Sequence, residues 1–323
     1  MIHRIANAIV YRLSKWLLKE NAYNGGIIKE LIGHPSILEA LANYHVLKKH
    51  YYLPIPEDSD LVYEQKSQLV GIEMNDKEQF AFIESVVNKY KDEFSRFPIH
   101  KSDNETATDF VLINEGFMAI DGNVYYSLVR HLKPKHIIEI GSGESTKLVN
   151  HAIKKNMAEG NRQSRLTCIE PYPLSYLRDA NLLLTELKVA KVQEIPFSFF
   201  ESLEAGDILF IDSTHALKSG GDVWYEYCEI LPRLKSGVYV HIHDISLPKP
   251  YPRVYFENKT YWNEQYLLQA FLTYNSKFEV VWAGNYLLEK YQEKMLQYFQ
   301  PEYDIMRKSY PSSEPSSVWI RVK

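Results

Sequence analysis

Cysteine is nearly absent from this chain of 323 residues, which has only Cys168 and Cys228. Two thiols exclude a disulfide-stapled scaffold and a cysteine-built zinc site, and a reducing, cytoplasmic setting is the expectation. Long hydrophobic runs are also missing. No apolar stretch approaches the roughly 18 residues that a bilayer span requires, so no transmembrane helix is expected. Nor is there a surplus of positive charge. Lys and Arg number 37 against 41 Asp and Glu, a net charge of -4, which argues against a general nucleic-acid-binding face. With 45% apolar residues, 14 glycines and 15 prolines, the chain is neither collagen-like nor low-complexity.

Tyrosine, by contrast, is plentiful: there are 24, and aromatics make up 13% of the chain. An apolar ring with a polar tip suits both a pocket rim and a subunit interface, so a homo-oligomer is left open. The first twenty residues place Ile5, Ile9, Leu13, Trp16 and Leu17 at helical spacing with basic residues off that stripe. Packing on protein is the plainer reading of such a stripe, and an anionic membrane surface the other. A longer helix is expected over Lys77–Phe97, and the polar stretch 100–109 reads as a lid or linker. Nothing before residue 100 carries a chemical signature. Residues 1–114 are therefore read as a helical accessory region and 115–323 as a separate domain.

That second part alternates strands and helices. Helix Asp121–Leu132 precedes strand His136–Ile140. Helix Ser145–Met157 follows, then strand Leu166–Glu170, a helix near Leu174–Leu187 and strand Lys191–Ile195. Strand Ile208–Asp212, helix Gly221–Leu231, strand Val238–His243 and helix Asn263–Leu272 continue the pattern. Strands Phe278–Ala283 and Ser317–Val322 close it. The pattern predicts a doubly wound, seven-stranded Rossmann-like α/β sheet covered on both faces.

The sharpest local signal is the strand-turn-helix IIEIGSGEST, where Gly141 and Gly143 flank Ser142. Glycines there permit a tight turn and a close ligand approach, and the next helix offers its first amides. It is neither a phosphate P-loop nor a complete dinucleotide fingerprint, because Thr146 stands where the third glycine would fall. Glu139 lies two residues before the glycines, where its carboxylate can meet a cationic group. Glu170 ends the next strand, where an acid commonly takes ribose hydroxyls. A nucleoside with an amine-bearing tail fits these acids better than a pyrophosphate does.

Ligands of open parallel sheets bind beyond the carboxyl ends of the strands. Asp212 and Asp244 end two of them, with His215 three residues past the first and His243 just before the second. Two carboxylates with histidines are what a divalent metal requires, and a histidine also makes an apt general base. His241 shares a strand face with His243, and for both a buried structural role is the alternative. Asp121 and Asp222 are read as helix caps, and Tyr125, Tyr126, Tyr251, Tyr255 and Trp262 as core or pocket rim.

The segments HIIEIGSGEST, IEPYP, DILFIDSTHALKSGGDV and VHIHDISLPKPYP, in that order, resemble class I S-adenosylmethionine-dependent methyltransferases. The likeness is to the subgroup related to macrolide-sugar O-methyltransferases and spans about residues 115–283 plus the closing SSVWIRVK. The resemblance implies that 115–323 is a methyltransferase domain using S-adenosylmethionine. Glu139, Gly141, Ser142, Gly143, Glu170 and Asp212 would hold that cofactor. It implies methyl transfer to a hydroxyl of a small acceptor, with a sugar as the suggested class, and His215, His243 and Asp212 at the reaction centre. Some relatives hold a divalent metal on two aspartates, here Asp212 and Asp244, plus an Asp or Asn directly after the second. In this sequence that third position is Ile245. A noncatalytic cofactor-binding or assembly domain is the alternative, and a nicotinamide oxidoreductase a weaker one, disfavoured by Thr146 and Glu139.

Overall fold

Strand β1 (His136–Ile140) is buried along its whole length and lies third in a seven-stranded sheet. This computed structural model describes residue 52, residues 54–103 and residues 106–323. The expected amphipathic helix over residues 1–20 lies outside the described residues. The sheet has the order β3-β2-β1-β4-β5-β7-β6, with β2 at Arg165–Ile169, β3 at Leu184–Lys188 and β4 at Ile208–Ile211. Strands β5 (Tyr239–Ile242), β6 (Phe278–Ala283) and β7 (Val318–Val322) complete it. The first five are parallel, and β7 runs antiparallel between β5 and β6. Central strands such as HIIEI and ILFI read as continuous apolar runs because both faces are covered.

The expected seven-stranded doubly wound sheet is therefore present, with one local difference. A helix near Leu174–Leu187 and a strand at Lys191–Ile195 were expected from the sequence. Instead a single 3-10 turn, Ser175–Arg178, leads to β3, and Val192–Glu194 is another 3-10 turn. The leucine-rich run favours a helix locally, but the free edge of β2 offers a ladder of hydrogen bonds, and tertiary pairing overrides propensity.

Helix α1 (Asp76–Phe82) continues through a π-helical segment, Ile83–Val87, into α2 (Asn88–Phe94). Phe80, Ile83, Val87, Tyr90 and Phe94, the face expected from spacing, join the same hydrophobic core as the sheet. Residues Ser59–Lys323 form one compact unit, so the border expected at residue 114 falls inside it. Helices α3 (Asp121–Leu132) and α4 (Glu144–Ala158) follow, the second starting directly from the glycine loop. Helix α5 (Asp222–Tyr225) widens into a π-helical stretch, Glu226–Ile230. Helix α6 (Glu264–Leu272) precedes β6, and the kinked α7 (Gly284–Ser309) connects β6 to β7. Among the described residues no helix is long and apolar enough to cross a membrane.

Candidate active site

The strand order reverses between β1 and β4, and a cavity of about 370 Å³ opens at that switch point. Its walls include Gly141, Glu170, Gln193, Asp212 and Ser213. Gly141 has φ 76°, and a Cβ there would stand 1.8 Å from the carbonyl oxygen of Asp212. Only glycine lets the β1 turn pass this close to the end of β4. Glu170 is oriented by backbone donors, with the amide of Tyr172 at 2.8 Å and that of Ser142 at 3.4 Å. Gln193 also faces the cavity, and its buried Oε1 has no hydrogen-bond partner.

Asp212 leads from this cavity into a cluster of charged side chains. His215 Nε2 lies 3.3 Å from its Oδ1 and 3.4 Å from Asp244 Oδ2. His243 Nδ1 is 3.5 Å from Asp212 Oδ1 and 3.7 Å from Asp244 Oδ2. Both His215, with φ 56°, and Asp244, with φ 54°, hold left-handed backbone. For residues other than glycine that conformation is costly and is often retained where a site needs it. The far nitrogen of His215 donates to Glu264 Oε2 at 2.8 Å, and Tyr227 Oη donates to Glu264 Oε1 at 2.9 Å. A second cavity of about 230 Å³, walled in part by His243, Asp244, Tyr255 and Ser316, lies beside the cluster.

Burial disfavours charge on both histidines, yet the carboxylates win. His215 is raised to about 10 by its bonds to Asp212 and Glu264 and by the charges of Glu264 and Asp244. His243 is raised well above the usual imidazole value by Asp244 and Asp212. Burial likewise opposes ionisation of Asp212, but the two imidazoles hold its carboxyl well below the ordinary range. His241 goes the other way. Burial and the neighbouring His243 keep it neutral, stacked 4.0 Å from the Phe210 ring and bonded to Ser317 at 2.7 Å.

A family model described as a methyltransferase domain matches residues 138–245. An uncharacterised protein of Archaeoglobus fulgidus is 30% identical over 165 residues, covering 48% of this chain and 72% of that relative. Residues 138–245 are thus a methyltransferase domain, and the sheet that contains them has the seven-stranded Rossmann-like order expected of the class I S-adenosylmethionine-dependent methyltransferases. Among solved structures, the chain is similar to an O-methyltransferase of Bacillus cereus in complex with SAH. That likeness has 12% identity and a TM-score of 0.36, covering 77% of this chain and 98% of that one. It is also similar to a plantazolicin methyltransferase in complex with a triazolic desmethylPZN analogue and SAH. There the identity is 13% and the TM-score 0.33, covering 77% and 99%.

Within this methyltransferase the expected site residues separate into groups. Asp212, His215, His243 and Asp244 come together, while Gly141 and Glu170 border the larger cavity. Glu139, expected to meet a cationic group, is fully buried. Its carboxylate accepts from Thr146 Oγ1 at 2.5 Å and Tyr125 Oη at 3.0 Å. Burial raises it to about 7 against those bonds. Thr146 in turn accepts from the Gly143 amide at 3.1 Å, so the residue in place of a third glycine ties the loop to Glu139. Gly143 itself has room, since a Cβ would meet only Tyr176 Oη at 3.7 Å.

The two residues expected as caps do more distant work. Asp121 accepts the amides of Ser316 and Ser317, both at 2.9 Å, and stands 3.8 Å from His243 Nε2. Asp222 accepts the amide of Val223 in the first turn of its own helix at 3.0 Å and also binds the Thr214 amide and hydroxyl at 3.0 and 2.8 Å. In each case the start of the helix lies against a loop that offers unpaired donors. Tyr125 and Tyr126 are core residues, whereas Tyr255 borders the second cavity and Trp262 packs 4.4 Å from the His215 ring. Sequence reasoning missed Glu264, Tyr227 and Gln193. Glu264 opens α6 and read as an ordinary first-turn acid; nothing local marks it as buried.

Proposed function

We propose that this methyltransferase moves a methyl group from S-adenosylmethionine to a hydroxyl of a small acceptor, with a sugar or similar polyhydroxylated compound as the acceptor class. One observation carries the reading. Asp212 borders the cavity at β1, β2 and β4, and His243, whose Nδ1 is 3.5 Å from it, borders with Asp244 the cavity beside β5. A two-substrate displacement needs two adjoining volumes that hold the reacting atoms in line. The second cavity has no Lys or Arg among the described residues that wall it, but Glu115, Asp121, Asp244, Glu314, Asn285 and four serines border it. Such walls suit a neutral, hydroxyl-rich compound better than an anion.

In this reading Glu170 accepts from the ribose hydroxyls and Gln193 Oε1 from an amine of the base. Asp212 sits between donor and acceptor. Asp212, His215 and Asp244 each offer a ligand atom within 4.8 Å of the others. The buried Nδ1 of His243 has no hydrogen-bond partner. That donor set fits a divalent metal, which when bound supplies a Lewis acid that lowers the pKa of a hydroxyl. The side chains themselves orient the acceptor; in the metal-free protein the carboxylates hold protons on His215 and His243, which a bound cation would displace from the ligating nitrogens. A metal-free histidine base is the second reading, and it needs a neutral imidazole. The carboxylates around both rings weigh against that.

Calorimetry with S-adenosylmethionine, followed by turnover over a panel of sugars and polyols, tests the proposal. Release of the demethylated cofactor with a methylated acceptor is the expected result. Binding without turnover across the panel would favour the noncatalytic alternative. Binding of a nicotinamide dinucleotide in place of S-adenosylmethionine would overturn the reading.

A further inference from the structure

We infer that the Asp212–His215–Asp244 cluster, with His243 Nδ1 as a fourth donor, is a transition-metal site that discriminates against magnesium. The inference rests on the reading of this cluster as the reaction centre and goes beyond it, because the donor chemistry selects the ion. Magnesium prefers oxygen ligands and keeps its waters, whereas imidazole nitrogen suits manganese, iron, cobalt, nickel or zinc. Here the residue after Asp244, where an oxygen ligand would extend the set, is Ile245, buried and apolar. Nitrogen takes its place. His215 Nε2 faces both aspartates at 3.3 and 3.4 Å.

Two further features separate this cluster from a chance gathering of acids. The first is the support behind His215. Its Nδ1–H is held by Glu264, which is fully buried and itself bonded by Tyr227. A carboxylate behind a histidine fixes the tautomer so that the other nitrogen points at the metal, and it makes that nitrogen more basic. The amides of Asn263 and Glu264 both donate to the His215 carbonyl, at 3.0 and 3.2 Å, which clamps the strained backbone. The second feature is independent of His215. His243 is only 6% exposed, and its Nδ1 makes no hydrogen bond although it is turned toward Asp212 and Asp244 at 3.5 and 3.7 Å. A buried polar atom that makes no hydrogen bond is unfavourable and calls for an explanation. A bound cation supplies one.

Glu264 and Tyr227 are thus positioning residues and His215 and His243 ligands. The test uses the full chain, stripped with chelator and titrated with Mn²⁺ under electron paramagnetic resonance, with Mg²⁺ and Zn²⁺ as competitors. One Mn²⁺ per chain is expected, displaced by Zn²⁺, with Mg²⁺ at least about 100-fold weaker. Pulsed spectra should show imidazole nitrogen coupling to the bound Mn²⁺. Glu264→Gln should weaken Mn²⁺ about 10- to 100-fold, and His215→Ala should remove most of the preference over Mg²⁺ and reduce the nitrogen coupling. If Glu264→Gln does not fold, the His215→Ala titration and the wild-type spectrum still decide. No Mn²⁺ or Zn²⁺ binding, or Mn²⁺ binding without nitrogen coupling and no tighter than Mg²⁺, would overturn the inference. S-adenosylmethionine calorimetry on the same stripped protein keeps the two readings apart. A protein that binds the cofactor but takes up neither Mn²⁺ nor Zn²⁺ loses only the metal site, and one that takes up metal but binds no cofactor loses only the methyl-transfer reading.

Discussion

The imidazole of His215 donates to the carboxylate of Glu264 at 2.8 Å, across 49 positions of sequence. One residue follows β4 and the other opens α6, so the bond closes the floor of the site from two separate elements. Glu264 is fully buried and also holds Tyr227. Glu264→Ala would leave a buried imidazolium and a buried hydroxyl without their acceptor. The expected loss is about 3–5 kcal/mol of unfolding free energy, measured by denaturant titration. Glu264→Gln keeps one acceptor and should cost about 1–3 kcal/mol.

The two glycines of the loop should respond differently. Gly141→Ala places a methyl group against the Asp212 carbonyl in a left-handed turn. It should cost about 3 kcal/mol or more, seen as a large drop in melting temperature. Gly143→Ala meets only the Tyr176 hydroxyl and should fold normally. If its affinity for S-adenosylmethionine then equals that of wild type, close backbone approach at Gly143 is not needed.

His215 carries a pKa raised to about 10, above its unfolded value of about 6.5. Its contribution to stability is complete below about pH 6.5 and is lost as pH rises through about 10. Melting temperatures of the metal-free protein should therefore fall between pH 7 and pH 10. The fall should be shallower in His215→Ala. Equal slopes for the two proteins would contradict the charged pairing.

Glu139 presents the acid counterpart. Its folded pKa, raised by burial to about 7, exceeds the ordinary carboxyl value. The fold thus favours the protonated form, and stability is lost as pH rises through about 7. Glu139→Gln should fold, match wild type near pH 5 and melt higher than wild type at pH 8. A lower melting temperature at pH 8 would show that the ionised carboxylate is needed by Tyr125 and Thr146.

Helix α2 belongs to the core of the sheet domain. Phe94 is fully buried, packs on Phe97, Phe110 and Tyr126, and lies against Gly122 of α3. Phe94→Ala should cost about 3–5 kcal/mol of the single unfolding transition. A chain beginning at residue 115 should lack cooperative melting. Native-like melting of that shorter chain would instead restore the border at 114 drawn from the sequence.

Local pattern was enough for most elements. Asp121–Leu132 and His136–Ile140 have the bounds that spacing predicts, because caps, prolines and apolar periodicity act over a few residues. The same local signals placed Asp212 and Asp244 at strand ends and Gly141 in a turn, and the order of strands then required them to converge. Position 184–188 shows where this stops. Its leucines favour a helix by themselves and become β3 only because β2 offers an open edge. Glu139 and Glu264 show it at the site. Both are acids beside an element boundary, which in sequence reads as a charge facing ligand or solvent. Packing against Tyr125 and Thr146 buries the first, and the distant His215 and Tyr227 claim the second. Sequence determined which side chains were present at each strand end, since that depends on neighbours along the chain. Their burial, partners and protons depend on elements that meet only when the chain has folded, and tertiary structure alone decided them.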